Sequence, residues 1–300
     1  MADHFPHLSP ATVAALALSV EERLAYLDRE WWIGYDKAKL ALAQLERIYS
    51  SPRQARPLGG VLVGVANNGK TSILNRFKKL HPPEPLPDGS LRIPVLSIDF
   101  PKGPDERSIY QKIIEAVGVP YRPNEHTDKL RYKAFHFLVA HEVKVLLVDD
   151  FNNMASGSAP KQRVLLNLFK EISNSLKLSI VCAGTQEALL MMQLDSQFSS
   201  RFPPLVLPLW KDGEPWQSLL ATFEQLIPLP VASNLAGESL SQHILAMSER
   251  TIGDAWQLLT SCARYAISNG NDCITRKTSS YIGWVMPSKR IQQGGIDMHA

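Results

Sequence analysis

Cysteine is scarce in this chain. Cys182, Cys262 and Cys273 are the only three in 300 residues, and no two stand in C-x-x-C spacing. That spacing excludes a disulfide framework and a thiolate metal site, and it reads as reduced thiols of a cytoplasmic protein. The histidines are scattered and show no metal-ligand spacing either. An excess of one charge is also missing. Thirty-two basic side chains face 29 acidic ones, for a net charge of +3, so the chain is no polycation and any nucleic-acid contact must come from a local stripe. No apolar run approaches the roughly 20 residues of a membrane-spanning helix, so no membrane partner is expected. Met1 to Pro6 carries no basic stretch ahead of an apolar core, and a secretory signal is not expected. Repeats and low-complexity tracts are absent. What remains is ordinary for a globular protein: 45% apolar and 20% charged residues, enough chain for one large domain or two smaller ones.

Against that plain background one stretch stands out. Gly64-Val65-Ala66-Asn67-Asn68-Gly69-Lys70-Thr71 fits G-x-x-x-x-G-K-[ST] without a mismatch. Gly60-Val61-Leu62-Val63 before it reads as a strand, and Ser72 to Phe77 after it as a helix. Strand, glycine-bounded loop and helix are the setting this phosphate-binding motif needs. The glycines let backbone N–H groups turn inward toward phosphate oxygens, and the helix N-terminus adds its partial positive charge. Lys70 supplies a point charge for the β- and γ-phosphates, and Thr71 a hydroxyl for Mg²⁺. The candidate nucleotide contacts are Gly64, Ala66, Asn67, Asn68, Gly69, Lys70, Thr71 and Ser72, with ATP and Mg²⁺ as the expected ligands.

A second stretch completes the first. Lys144-Val145-Leu146-Leu147-Val148-Asp149-Asp150 is an apolar run ending in acid, the pattern of a buried parallel strand with a carboxylate at its C-terminal end. Beside a phosphate loop, Asp149 is the expected Mg²⁺-side acid. Asp150 stands where a general base or water-orienting acid would stand. Leu178 to Gly184 reads as a further strand ending at Thr185, whose hydroxyl could reach a γ-phosphate or the attacking water.

Strands alternate with helices from 60 to 208, which predicts an α/β fold with a mostly parallel sheet flanked by helices. Helical patterns dominate from Trp210 on. The expected division is an N-terminal helical segment over 1–50 packed on the core, an ATPase domain over 51–209, a small helical lid over 210–285, and a flexible polar tail over 286–300. Ser19-Val20-Glu21-Glu22 resembles a capping box opening a helix through Leu24, Leu27 and Trp31. The aromatic segment Trp31-Trp32-Ile33-Gly34-Tyr35 suits either packing on a nucleobase or plain core packing.

Taken together, phosphate loop, carboxylate strand, a strand ending in Thr, a following Arg and a helical lid resemble the layout of AAA+ ATPases. Trp32-Ile33-Gly34-Tyr35, Ala66-Asn67-Asn68-Gly69-Lys70-Thr71, Gly184-Thr185-Gln186-Glu187-Ala188 and Ser200-Arg201-Phe202 narrow this to a resemblance to the TniB/TnsC family of transposition regulators, running from His7 to about residue 285. The resemblance implies that Lys70, Asp149, Asp150, Thr185 and Arg201 form the catalytic set. Thr185 would be the sensor, Arg201 an arginine finger acting on the ATP of a neighbouring subunit, and Ile33, Gly34 and Tyr35 would lie near the adenine. It further implies assembly on double-stranded DNA as a homo-oligomeric ring or helical filament, coupling a target-selector protein to a DDE-type transposase. Without the resemblance, Arg201 also reads as a solvated or capping charge.

Two departures from the AAA+ pattern stand out. Asp150 occupies a position where Glu is usual, which suggests slow hydrolysis. No sensor-2 arginine is secured by spacing, although Arg250 is near. Candidate DNA contacts are Lys102, Arg107 and Lys112, each of which also reads as an ordinary surface charge. Other readings of the same residues are a helicase loader or initiator-type ATPase, an ATP-gated scaffold that barely hydrolyses, and a small-molecule kinase.

Overall fold

The structure is a computed structural model that describes residues 5–193 and 201–294. Its central element is a five-stranded sheet built from β1 (Gly60–Gly64), β4 (Val95–Asp99), β5 (Val145–Asp149), β6 (Ser179–Gly184) and β7 (Pro204–Leu207). Their spatial order is β4-β5-β6-β1-β7, and each of the four pairings is parallel. The remaining strands, β2 (Glu84–Pro85) and β3 (Leu91–Arg92), form a small antiparallel hairpin. Two short pairs suffice for the hairpin, and Pro85 is tolerated because no third strand needs its missing N–H.

The middle strands are apolar because helices cover both faces. Every residue of β1, β5 and β6 is buried, the state that makes parallel strands read as continuous Val/Ile/Leu runs. Phe100, Phe151 and Phe169 pack edge-on or tilted with centroids 5.1–6.2 Å apart. They are almost wholly buried and brace the turn that follows Asp149.

The chain folds into two compact units that divide it differently from the sequence expectation. One comprises 36–208; the other joins 1–35 to 209–300. The N-terminal segment thus splits after Tyr35. Helix Asp36–Ser50 belongs with the sheet and residues before it with the C-terminal helices. The reason lies in its partners. Leu27 is part of the core of Trp216, Phe223, Leu259 and their neighbours. Ser9 N–H donates to the Gln225 carbonyl at 3.0 Å, His7 Nε2 lies 3.1 Å from the Leu229 carbonyl, and Arg264 pairs with Asp28.

The capping box is present: Ser19 and Glu22 exchange hydrogen bonds at the start of helix Val20–Leu27. That helix stops at Leu27 and does not reach Trp31, so Trp31 and Trp32 lie on irregular chain and both are half-buried. From residue 286, where a flexible tail is expected, the structure has a helix, Pro287–Gly294. Proline is suited to a first helical position. Ser288 N–H donates to Glu249, and Arg290 bonds Asp254 at 3.0 Å. Residues 295–300 of the expected tail lie outside the described residues, as does Ser200 of the Ser200-Arg201-Phe202 motif. Among the described residues, no helix is long and apolar enough to cross a membrane.

Candidate functional site

β1 delivers the loop 64–71 to the start of helix Lys70–Leu80. Gly69 caps that helix with φ 87°. A side chain is strained in this left-handed region, which explains the glycine ahead of Lys70. Asn67 also has positive φ, at 57°, and asparagine is among the residues that tolerate it. Ala66, Asn67, Thr71 and Ser72 are exposed along the loop.

Lys70 is buried, and its ammonium donates to the carbonyls of Gly64 at 2.9 Å and Val65 at 2.8 Å. Burial lowers its pKa below the ordinary lysine value, while Asp149 and Asp150 oppose the shift. At the next residue, the Thr71 hydroxyl donates to Asp149 Oδ2 at 2.6 Å. The other oxygen, Oδ1, accepts the Asp150 N–H at 2.8 Å. Thus the two motif residues found 78 apart in sequence meet directly.

Asp150 begins a tight helical turn, Phe151–Ser156, with φ 53° and ψ 33°. Aspartate enters this region more readily than most residues, so the backbone favours Asp over the usual Glu here. Its pKa is raised, first by burial, then by the negative charges of Asp149 and Asp99; Lys70 and Lys102 pull it back. Asp99 is opposite Asp149 in the β4–β5 register.

Thr185 follows β6 and is half-buried, and its hydroxyl donates to Glu187 Oε2 at 3.1 Å. Arg201 is half-buried and donates through Nη1 to Asn174 Oδ1 at 2.9 Å. Lys102 is exposed, and its carbonyl accepts from Ser156 Oγ at 2.9 Å. Arg107 donates to the Pro123 carbonyl, and Lys112 pairs with Glu115 at 2.9 Å. Of the three candidate DNA contacts, two therefore have their charged groups engaged within the chain.

Ile33 and Tyr35 belong to the helical unit. Ile33 packs against its core. The Tyr35 ring meets Trp210 edge-on at 5.0 Å, and burial pushes its hydroxyl up to about 12. Arg250, the nearest basic residue to a sensor-2 position, has φ 67° and donates through Nε to the Trp210 carbonyl at 2.7 Å.

Two roles escaped the sequence. The Asn68 side chain donates to the carbonyls of Leu207 and Pro208, both at 3.1 Å. Asp99 contributes charge beside Asp150. Only the acid at the end of β4 could have signalled the second; nothing local signals the first.

A family model described as Bacterial TniB protein matches residues 23–212, well over half the chain. The chain belongs to the TniB family. The match is shorter than the resemblance read from motifs, which extends toward residue 285. No curated protein sequence matches. Solved structures match at low identity. The Aeropyrum pernix ORC1 protein, in complex with DNA, aligns with TM-score 0.63 at 14% identity, over 90% of this chain and 71% of that one. Cdc6p of Pyrobaculum aerophilum gives 0.58 at 17%, over 86% and 70%. A Walker-type ATPase of Pyrococcus abyssi gives 0.59 at 13%, over 90% and 78%. At these identities the likeness shows the fold alone, and that fold is the AAA+ P-loop fold with its C-terminal helices. By family and fold this TniB protein is an AAA+ ATPase.

Proposed function

We propose that this TniB protein is an ATP-dependent regulator of DNA transposition that oligomerises on double-stranded DNA and links target-site selection to a DDE-type transposase. The observation that carries the nucleotide part is the 2.6 Å contact between Thr71 and Asp149 at the mouth of a P-loop. Family membership supports the transposition part.

In this reading, backbone N–H groups of Gly64, Ala66, Asn67, Asn68 and Gly69, with Ser72, hold the phosphates. Lys70, once it exchanges the Gly64 and Val65 carbonyls for phosphate oxygens, neutralises charge that builds in the transition state. Thr71 and Asp149 present adjacent hard oxygens, the donor type Mg²⁺ takes together with substrate phosphate and water. Among the described residues no group of three or more His, Cys, Asp or Glu gathers as a metal cage. Bound at Thr71 and Asp149, Mg²⁺ would neutralise phosphate charge.

Asp150 orients the attacking water, and its short side chain makes hydrolysis slow. Thr185, freed from Glu187, bonds the γ-phosphate or that water. Arg201, released from Asn174, reaches the ATP of a neighbouring subunit, and Ile33 and Tyr35 lie by the adenine. Lys102 is the strongest of the DNA candidates because the residue is exposed. Arg107 and Lys112 would each first have to give up an internal partner. The protein acts in the cytoplasm.

The test is assembly. The protein is mixed with random-sequence duplex DNA, with and without a non-hydrolysable ATP analogue, and imaged by negative-stain microscopy beside Lys70→Ala and Arg201→Ala. Nucleotide-dependent rings or filaments that need both side chains are expected. A monomer indifferent to DNA under every condition overturns the reading.

A further inference from the structure

Asn68 is nearly inaccessible, 2% exposed, although it sits in the middle of a phosphate loop. Its amide nitrogen donates to two carbonyls, Leu207 and Pro208, each at 3.1 Å. Carbonyls only accept, so the orientation of the amide is fixed by its partners. Its Oδ1 is buried without a partner. A buried acceptor in that condition is unusual and calls for an explanation.

The partners are informative. Leu207 is the last residue of β7, paired in register with Gly64, the first residue of the loop. A Cβ on Gly64 would lie 3.2 Å from Leu207 Cβ and 3.3 Å from its carbonyl, so loop and strand end are in close contact there as well. Pro208 closes the sheet unit, and the chain re-enters the helical unit at Leu209. Two residues past Pro208, Trp210 is held within the helical unit. Its N–H donates to the Arg250 carbonyl at 2.9 Å, and its own carbonyl accepts Arg250 Nε at 2.7 Å. The stretch Leu207–Trp210 is therefore tied at one end to the phosphate loop and at the other to the turn before helix Ile252–Ser268.

We infer that Asn68 is a positioning residue that couples the shape of the phosphate loop to Leu207–Trp210, so that nucleotide phosphate moves or locks the strand that leads into the helical unit. The inference rests on the nucleotide reading above and deepens it. Asn68 offers phosphate only its backbone N–H, while its side chain carries the loop's conformation outward. The orphan Oδ1 makes the latch exchangeable. A loop rearrangement that brings an N–H to Oδ1 competes with the two bonds to Leu207 and Pro208. Arg250 receives the signal through Trp210 in place of touching phosphate.

The test is hydrogen exchange at the Leu209 and Trp210 amides of the full chain, with and without AMP-PNP and Mg²⁺. In the wild type, nucleotide should change exchange at these amides about tenfold. Asn68→Ala, at AMP-PNP concentrations that saturate it, should lose that response. Asn68→Asp, which turns donors into acceptors facing two carbonyls, should also lose it. Asn68→Ser, with one donor, should keep part of it, and serves as the reading if the other two fail to fold. A full response in Asn68→Ala overturns the inference. So does an Asn68→Ala variant that no AMP-PNP concentration saturates although its melting curve is that of wild type, because the Asn68 side chain is then itself a phosphate ligand. Wild type that binds the analogue with both amides unmoved sinks the relay alone. Wild type that fails to bind sinks the ATP reading and the relay with it.

Discussion

The two compact units use their polar side chains in opposite ways. In the sheet unit, Lys70, Thr71, Asp149 and Asp150 collect where strands β1 and β5 end, and their bonds are to groups a ligand can replace. In the helical unit the buried polar groups Thr251, Asp254 and Trp216 bond within the unit, although Ser241 Oγ, Trp31 Nε1 and Arg23 Nε are buried without a partner. Thr251 and Asp254 bond each other at 2.7 Å, and Arg290 takes the other Asp254 oxygen at 3.0 Å. Trp216 Nε1 donates to the Ser241 carbonyl at 3.1 Å. The contrast separates chemistry from architecture. Charged groups with exchangeable partners mark a site, whereas those with fully satisfied, buried partners mark a scaffold.

The sharpest way to break that contrast is to damage each unit separately. Lys70→Ala should lower ATP hydrolysis by about 10³-fold, since it removes a preorganised charge from the transition state, with no change in the unfolding of the helical unit. Trp216→Ala should do the reverse. Trp216 is fully buried in the helical core, and truncating such a side chain costs about 3–5 kcal/mol. Urea unfolding followed by hydrogen exchange should show that loss in 209–294, and nucleotide binding by the sheet unit should fall much less. Equal damage to both readouts in either variant would mean that the units do not divide the work.

Asp150→Glu sharpens the comparison inside the sheet unit. The longer side chain brings the carboxylate nearer the attacking water, and a correction on the ångström scale is worth up to about 10² in rate. Against it stands φ 53° at this position, which costs an ordinary L-residue about 1–2 kcal/mol. The expected result is roughly tenfold faster phosphate release together with a lower melting temperature. Unchanged turnover would show that reach is not what limits hydrolysis.

The parts legible from sequence are those that a short window determines. The runs Val145–Asp149 and Gly60–Gly64 announce themselves because a strand buried on both faces has no room for polar residues. Gly69 and Lys70 are legible because the loop's conformation demands them. Ser19 and Glu22 are legible because a capping box closes within four residues. What stayed hidden depends on partners far along the chain. Asn68 looks like one more phosphate-loop residue until its amide meets Leu207, 139 positions away. Residues 1–35 look like a preface to the sheet unit, and only the contacts of Leu27, Asp28 and Ser9 assign them to the C-terminal helices. Arg250 reads as a spare cation, since neither its φ of 67° nor its hold on Trp210 is written in its neighbours.

The smallest expected effect tests whether polar groups of the helical unit are structural throughout. Thr251 caps helix Ile252–Ser268: its hydroxyl oxygen accepts the Asp254 N–H at 3.3 Å, while the hydroxyl donates to Asp254 Oδ2 at 2.7 Å. An acid in the first turn also suits the positive end of the helix. Thr251→Ala removes the cap and leaves Asp254 to Arg290, for a cost of about 1 kcal/mol. Thr251→Ser keeps both bonds and should recover most of it. The loss should appear as a lower urea midpoint with unchanged affinity for ATP. If affinity for ATP fell tenfold while the midpoint held, Thr251 would act on nucleotide through the adjacent Arg250, and the division of labour between the units would fail at that turn.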